Sequence, residues 1–110
     1  MSKSFESIVD KANGLIEEHN KEVEQKWGIG YNSDHEFHSV LREEVEEVGE
    51  NFTELKEVVE KRLWDKIRAD EEIEKTDCEL VILLAKQVIA EAVQVGAVAM
   101  RCLHKKEKGE

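Results

Sequence analysis

From Leu80 to Leu103 the chain is apolar nearly all round a helix, and that stretch leaves few folds open. A helix without a polar face must be covered on several sides, by lipid or by the other helices of a bundle. Lys86, Gln87, Glu91, Gln94 and Arg101 interrupt the run, too many polar groups for a lipid-facing span. The stretch therefore reads as the middle of a last helix from about Glu72 to His104. Its first turns are acidic and its end is basic (His104, Lys105, Lys106, Lys108), a polarity that complements the helix dipole. Ala85, Ala92, Gly96 and Ala99 share one face, where small side chains let another helix come close. Three or four helices of one chain hardly cover such a helix, so a homo-oligomer, dimer or tetramer, is expected.

The rest of the chain supplies those helices. Ser4 is a plausible N-cap for a first helix. Phe5, Ile8, Val9, Ala12, Leu15, Ile16, His19 and Val23 follow at i, i+3, i+4 spacing, and the helix should end near Trp27-Gly28. Gly28 to Asp34 is the one convincing loop. Ser33-x-x-Glu36 has the pattern of a capping box and starts a second helix. Phe37, Val40, Leu41, Val45, Val48, Phe52, Leu55 and Val59 form its apolar stripe, which runs on through Leu63 and Ile67. Gly49-Glu50-Asn51 weakens the helix without shifting the stripe's phase, so residues 34 to 67 form one long helix or two broken near Asn51. Arg68 to Glu72 reads as a turn. With 110 residues, no proline and 38% charged residues, the expected fold is all-α, a single helical domain over 1–110 with three to four helices.

A formal charge of −10 argues against binding nucleic acid, whose backbone calls for clustered Lys and Arg. It suits a site that gathers divalent cations, or simply an acidic surface. Cys78 and Cys102 lack CxxC spacing and read as reduced thiols of a cytoplasmic protein. Met-Ser-Lys-Ser-Phe-Glu has no apolar signal region. No membrane partner is expected.

The chemistry concentrates in Leu41-Arg42-Glu43-Glu44-Val45-Glu46-Glu47-Val48. At about 100° per residue Glu44 falls inside the apolar stripe and Glu47 on its flank, while Glu43 and Glu46 fall outside it. A carboxylate facing a core costs several kcal/mol unless it is paired, hydrogen-bonded or bound to a cation. On the last helix Glu91 and Gln94 are also spaced i, i+3, on the face of Leu84, Val95, Val98 and Cys102. If the two faces meet, they enclose an oxygen-lined pocket. Oxygen-rich, thiolate-free sites select Mg²⁺, then Mn²⁺. Mg²⁺ held by a few carboxylates completes its shell with phosphate oxygens, which points to a phosphorylated substrate and metal-assisted hydrolysis. Plainer readings stand beside these: an acidic helix turn is most often a solvated face, and Glu91 with Gln94 can be one wet stripe. Trp27 and Trp64 are commonly core or interface aromatics. His35 and His38, at i, i+3, have no third ligand nearby and suit surface or capping roles.

Three blocks in order resemble a known family: Glu24-Gln25-Lys26-Trp27-Gly28 with Asn32, Val40 to Glu47, and Glu91-Ala92-Val93-Gln94-Val95-Gly96-Ala97-Val98-Ala99-Met100. Glu43-Glu44-x-x-Glu47 looks like the EExxE motif of the MazG-like, all-α nucleoside triphosphate pyrophosphohydrolases, which pair it with ExxD on a later helix. The chain is most similar to short phage- and prophage-type members. The resemblance implies an all-α dimer or dimer of dimers and Mg²⁺-dependent cleavage of an NTP or dNTP between the α and β phosphates. It implies metal ligands at Glu44, Glu47 and Glu91, with Gln94 where most members carry Asp. Glu43 matches the first Glu of the motif, and Glu43 or Glu47 would activate the attacking water. Lys26, Trp27 and Asn32 match a block near the base or phosphates. A literal ExxD at Glu74/Asp77 lies in a polar helix start and lacks the small-residue context of Glu91/Gln94. The alternative reading is a non-catalytic helical module of phage origin, a nucleotide sensor or protein-interaction partner.

Overall fold

The computed structural model describes residues 2–109. They form helices α1 (Lys3–Trp27), α2 (Asp34–Glu57), α3 (Trp64–Arg68) and α4 (Lys75–Glu107), with a π-helical segment, Val58–Leu63, joining α2 to α3 without a break. Among the described residues there is no strand, so the architecture is all-α.

The ends of the helices show why these elements form. Ser2, rather than Ser4, caps α1: its hydroxyl accepts from the Phe5 N–H at 3.2 Å. Both serines have the right chemistry, but the outer one adds a backbone bond, Glu6 N–H to Ser2 C=O at 3.1 Å. Gly28, at φ 87°, closes α1 by donating to the Glu24 carbonyl at 2.8 Å. Ser33 caps α2 through Glu36 N–H at 3.1 Å. The reciprocal half of the expected box is shifted by one residue. The Glu36 carboxylate accepts from the backbone N–H of Asn32 (3.2 Å) and from its amide (3.3 Å).

The helix does not break near Asn51. Gly49, Glu50 and Asn51 are helical, and the irregularity lies further on, in the π-helical Val58–Leu63. A π turn shifts the side chains after it around the helix axis, relative to those before it. Arg62 in that segment and Lys66 in α3 both reach Asp77, which is fully buried. The Asp77 carboxylate also accepts the Glu74 N–H at 2.9 Å and forms a capping box with Glu74. This box sets the start of α4 at Lys75 rather than near Glu72. The bond from Lys66, the Glu74 N–H and the two cations together hold the Asp77 carboxyl well below its usual range, at about 2. At the other end α4 runs past His104 to Glu107, with Lys105 and Lys106 in a last turn that favours cations.

Both α1 and α2 pack on α4. The small-residue face serves the α1 contact: a Cβ on Gly96 would sit 2.5 Å from Cδ1 of Ile16. The shared core is thin, with Leu84 and Ala97 the buried apolar side chains among the described residues. The chain measures 61 × 32 × 25 Å with a radius of gyration of 18.0 Å, against about 13 Å for a globule of this length. Ile8, Leu15, Phe52, Ile82, Leu83 and Ile89 are about half exposed or more. An 18-residue window of α4 has a mean hydropathy of 1.7. By length and composition alone it is apolar enough to cross a membrane.

The basic end of α4 grips the loop between α1 and α2. Arg101 donates from Nε to the Gly28 carbonyl (3.0 Å) and from Nη2 to the Trp27 carbonyl (3.3 Å). Lys105 donates to the Tyr31 carbonyl at 2.9 Å, and Lys106 pairs with Asp34 at 3.2 Å. Gly30, at φ 73°, lies so close to Lys105 that a Cβ there would come within 2.3 Å of its Cδ.

Candidate metal and nucleotide site

Residues three apart on a helix stand on the same face. The pairs Glu44/Glu47 on α2 and Glu91/Gln94 on α4 use that rule toward each other, because α2 and α4 lie side by side. One carboxylate oxygen from each of Glu44, Glu47 and Glu91 lies within 4.8 Å of the others. Glu44 and Glu91 are half-buried and Glu47 is exposed. In the orientation that satisfies both of its amide atoms, Gln94 donates its nitrogen to Glu44 Oε2 at 2.8 Å and to Glu91 Oε2 at 3.3 Å.

Three carboxylates this close repel, and the protonation equilibria show it. Burial pushes the Glu44 carboxyl up, and the charges of Glu47 and Glu91 push it further. Burial likewise raises Glu91, followed by its hydrogen bond with Glu47 and that residue's charge. Such a cluster is relieved by a proton, by the Gln94 amide, or by a cation. The donor set fits a hard divalent ion: carboxylate oxygens, one amide that can turn its oxygen inward, and no sulfur or imidazole. Glu44, Glu47, Glu91 and Gln94 are the residues that could hold such an ion.

A cavity of about 300 Å³ adjoins the carboxylates and shares Glu44 and Gln94 with them. Its other walls include Trp27, Tyr31, Val23, Val98 and Arg101. Arg101 stacks over the Tyr31 ring, 4.4 Å from its centroid. The cavity lining thus joins apolar and aromatic side chains with Glu44, Gln94, His19 and Arg101.

Of the substrate candidates read from the sequence, Trp27 lines this cavity. Lys26 lies over the Trp27 ring, its Nζ 5.2 Å from the centroid. Asn32 is not in the cavity wall. Its donors are engaged by Glu36, so it shapes the loop. Glu43 is exposed and outside the carboxylate trio, and adds charge beside Glu44. Arg42 pairs with Glu46 at 3.1 Å on a solvated face. His35 and His38 are exposed. Asp77 has its negative charge met by two cations, which leaves the literal ExxD without a free carboxylate pair. Tyr31 and Arg101 were not singled out from the sequence. Arg101 had a readable signal: it lies seven residues after Gln94, two turns along the same helix face. Tyr31 had none, since a loop has no periodicity.

The chain matches no family model, no curated protein and no solved structure.

Proposed function

We propose that this protein is a Mg²⁺-dependent pyrophosphohydrolase of nucleoside or deoxynucleoside triphosphates, releasing pyrophosphate and the monophosphate. The observation that carries the reading is the convergence of Glu44, Glu47 and Glu91, with Gln94 between them, at the edge of an aromatic-walled cavity. Glu44, Glu47 and Glu91 would hold Mg²⁺, with Gln94 as a weaker amide ligand. Mg²⁺, when bound, supplies positive charge to the triphosphate and makes a water more acidic.

The chain's own residues do the rest. Glu47, the most accessible of the trio, holds the proton leaving the attacking water, with Glu43 as the nearby alternative. Trp27 and Tyr31 offer faces for a base, and Arg101 and Lys26 add positive charge around them. We further propose that the active form is a homo-oligomer, which would cover Leu15, Ile82 and Ile89, each about half exposed in the single chain.

The test is pyrophosphate release from each canonical NTP and dNTP with Mg²⁺, comparing wild type with Glu44→Gln and Glu91→Gln. Release should disappear in both variants while circular dichroism keeps its helical signal. Wild-type rates in both would remove these residues from the site.

One observation favours a second reading, a nucleotide sensor or interaction module without turnover. Gln94 satisfies Glu44 and Glu91 without any cation. That reading predicts a Mg²⁺-independent thermal shift with nucleotide and no pyrophosphate.

A further inference from the structure

Arg101 stands in the wall of the cavity beside the carboxylates with no acid to balance it. The chain carries 26 Asp and Glu against 16 Lys and Arg. Yet among the described residues no carboxylate lies within ion-pair distance of this guanidinium. Its partners are neutral: Nε donates to the Gly28 carbonyl and Nη2 to that of Trp27. Those bonds and the Tyr31 ring fix the plane of the group, and they spend two of its five donors. Both hydrogens on Nη1 and one on Nη2 are left over, on a group that can only donate. Fastening a loop carbonyl does not call for such a fork, since Lys105 holds the Tyr31 carbonyl with a single ammonium. A rigid fork with donors to spare suits a ligand edge that presents two acceptors side by side.

We propose that the nucleotide taken by this site is a guanine nucleotide, read by Arg101 at the O6 and N7 acceptors of the base. The proposal rests on the nucleotide reading of the carboxylate site. Arg101 follows Gln94 by seven residues, about 10 Å along α4, which is the reach from a nucleotide's phosphate to the far edge of its base. It shares the cavity with Trp27, Val23 and Val98, a wall suited to a ring rather than to phosphates. At about 300 Å³ the cavity has room for a purine, and Trp27 gives that purine a surface to stack on. On the same edge adenine sets an amino group beside N7, donor against donor, and thymine has one acceptor. Cytosine is the remaining competitor, through O2 and N3, but its single ring gives Trp27 less to cover.

The experiment is calorimetry on the full chain in MgCl₂, with dGMP, dIMP, 7-deaza-dGMP, dAMP and dCMP as probes. The base of dIMP keeps both acceptors, and 7-deaza-dGMP loses N7 without a change of shape. The first two should bind alike, and the other three about tenfold more weakly. Arg101→Lys keeps the charge but not the fork, and should bring dGMP and 7-deaza-dGMP to one affinity. Circular dichroism checks that the variant is folded; should it fail, the 7-deaza comparison in the unaltered chain decides alone. Equal affinity for dGMP and 7-deaza-dGMP overturns the proposal, as does dAMP or dCMP binding as tightly as dGMP, or no binding by any probe. A preference that persists in folded Arg101→Lys also overturns it, by taking the reading of N7 away from Arg101. Pyrophosphate release from dGTP, measured alongside, separates the two claims. Release without dependence on N7 removes the guanine assignment and leaves hydrolysis standing. Dependence on N7 without release keeps guanine recognition and removes hydrolysis.

Discussion

Replacing Gln94 with Asp tests the proposed metal site from both sides at once. The Gln94 amide makes two hydrogen bonds to carboxylates, at 2.8 and 3.3 Å. Bonds to charged groups contribute about 1.5–3 kcal/mol each. A carboxylate in its place removes both and adds repulsion. At about 4 Å and an effective dielectric constant near 20, one such pair costs about 4 kcal/mol. The shorter Asp side chain relaxes some of this, and so does proton uptake by Glu44 and Glu91, which are already biased toward their neutral forms. A net loss of about 2–4 kcal/mol without metal remains, or roughly 10 °C in Tm for a domain of this size. Mg²⁺ should reverse the order, since four carboxylates bind it more tightly than three and an amide. At about a hundred times Kd, the ion returns about 2.7 kcal/mol. The assay is thermal unfolding in EDTA and across a MgCl₂ titration. Gln94→Asp should start lower and rise further than wild type. Equal Tm in EDTA together with an unchanged Mg²⁺ response would refute the reasoning, because the amide would then not touch the carboxylates.

Metal-free stability should depend on pH in two opposed ways. Glu44 and Glu91 have raised folded-state values, so the folded form binds more protons and stability rises as pH falls from about 7 toward that raised range, above the ordinary 4.5. Asp77 is lowered from 3.8 to about 2, so its contribution is present above 3.8 and disappears as pH drops toward 2. Tm in EDTA should therefore peak in mildly acidic buffer, and the Glu44→Gln/Glu91→Gln double variant should flatten the upper limb; an unaltered limb would contradict the shift. Asp77→Asn should lower Tm clearly, because it leaves Arg62 and Lys66 without their buried partner. Arg42→Ala, which breaks a pair exposed on both sides, should change stability by no more than about 0.5 kcal/mol. Gly96→Ala should destabilise by about 1–2 kcal/mol in denaturant unfolding, because its methyl group meets Ile16 and helix propensity offsets only part of the overlap; a stabilised variant would mean that α1 does not pack there.

Periodicity made much of this molecule legible. The apolar stripe placed Glu44 on the inner face of α2, and the same spacing rule put Glu91 and Gln94 on the matching face of α4. Gly28 and Ser33 marked the loop because their backbone chemistry is local. The π segment was not legible, since Val58 and Val59 keep the stripe's phase, and the partner of Arg62 and Lys66, Asp77, lies on another helix. Ser2 and Ser4 have the same capping chemistry, and the choice between them rests on one extra backbone bond. Arg101 read only as a polar interruption of the apolar run because its partners, the carbonyls of Trp27 and Gly28, lie 74 and 73 positions away.

The clamp of Arg101, Lys105 and Lys106 on residues 27 to 34 separates two properties that are often lost together. The carboxylates stand on the long helices, whereas Trp27 and Tyr31 sit beside or within a strap fastened by the final turns of α4. If the proposed function holds, trimming those turns, or neutralising the three cations, should leave Mg²⁺ binding in place while blurring the choice among bases. On the proposed function, base choice and cation affinity would then be governed from different parts of α4, and each could be changed without the other.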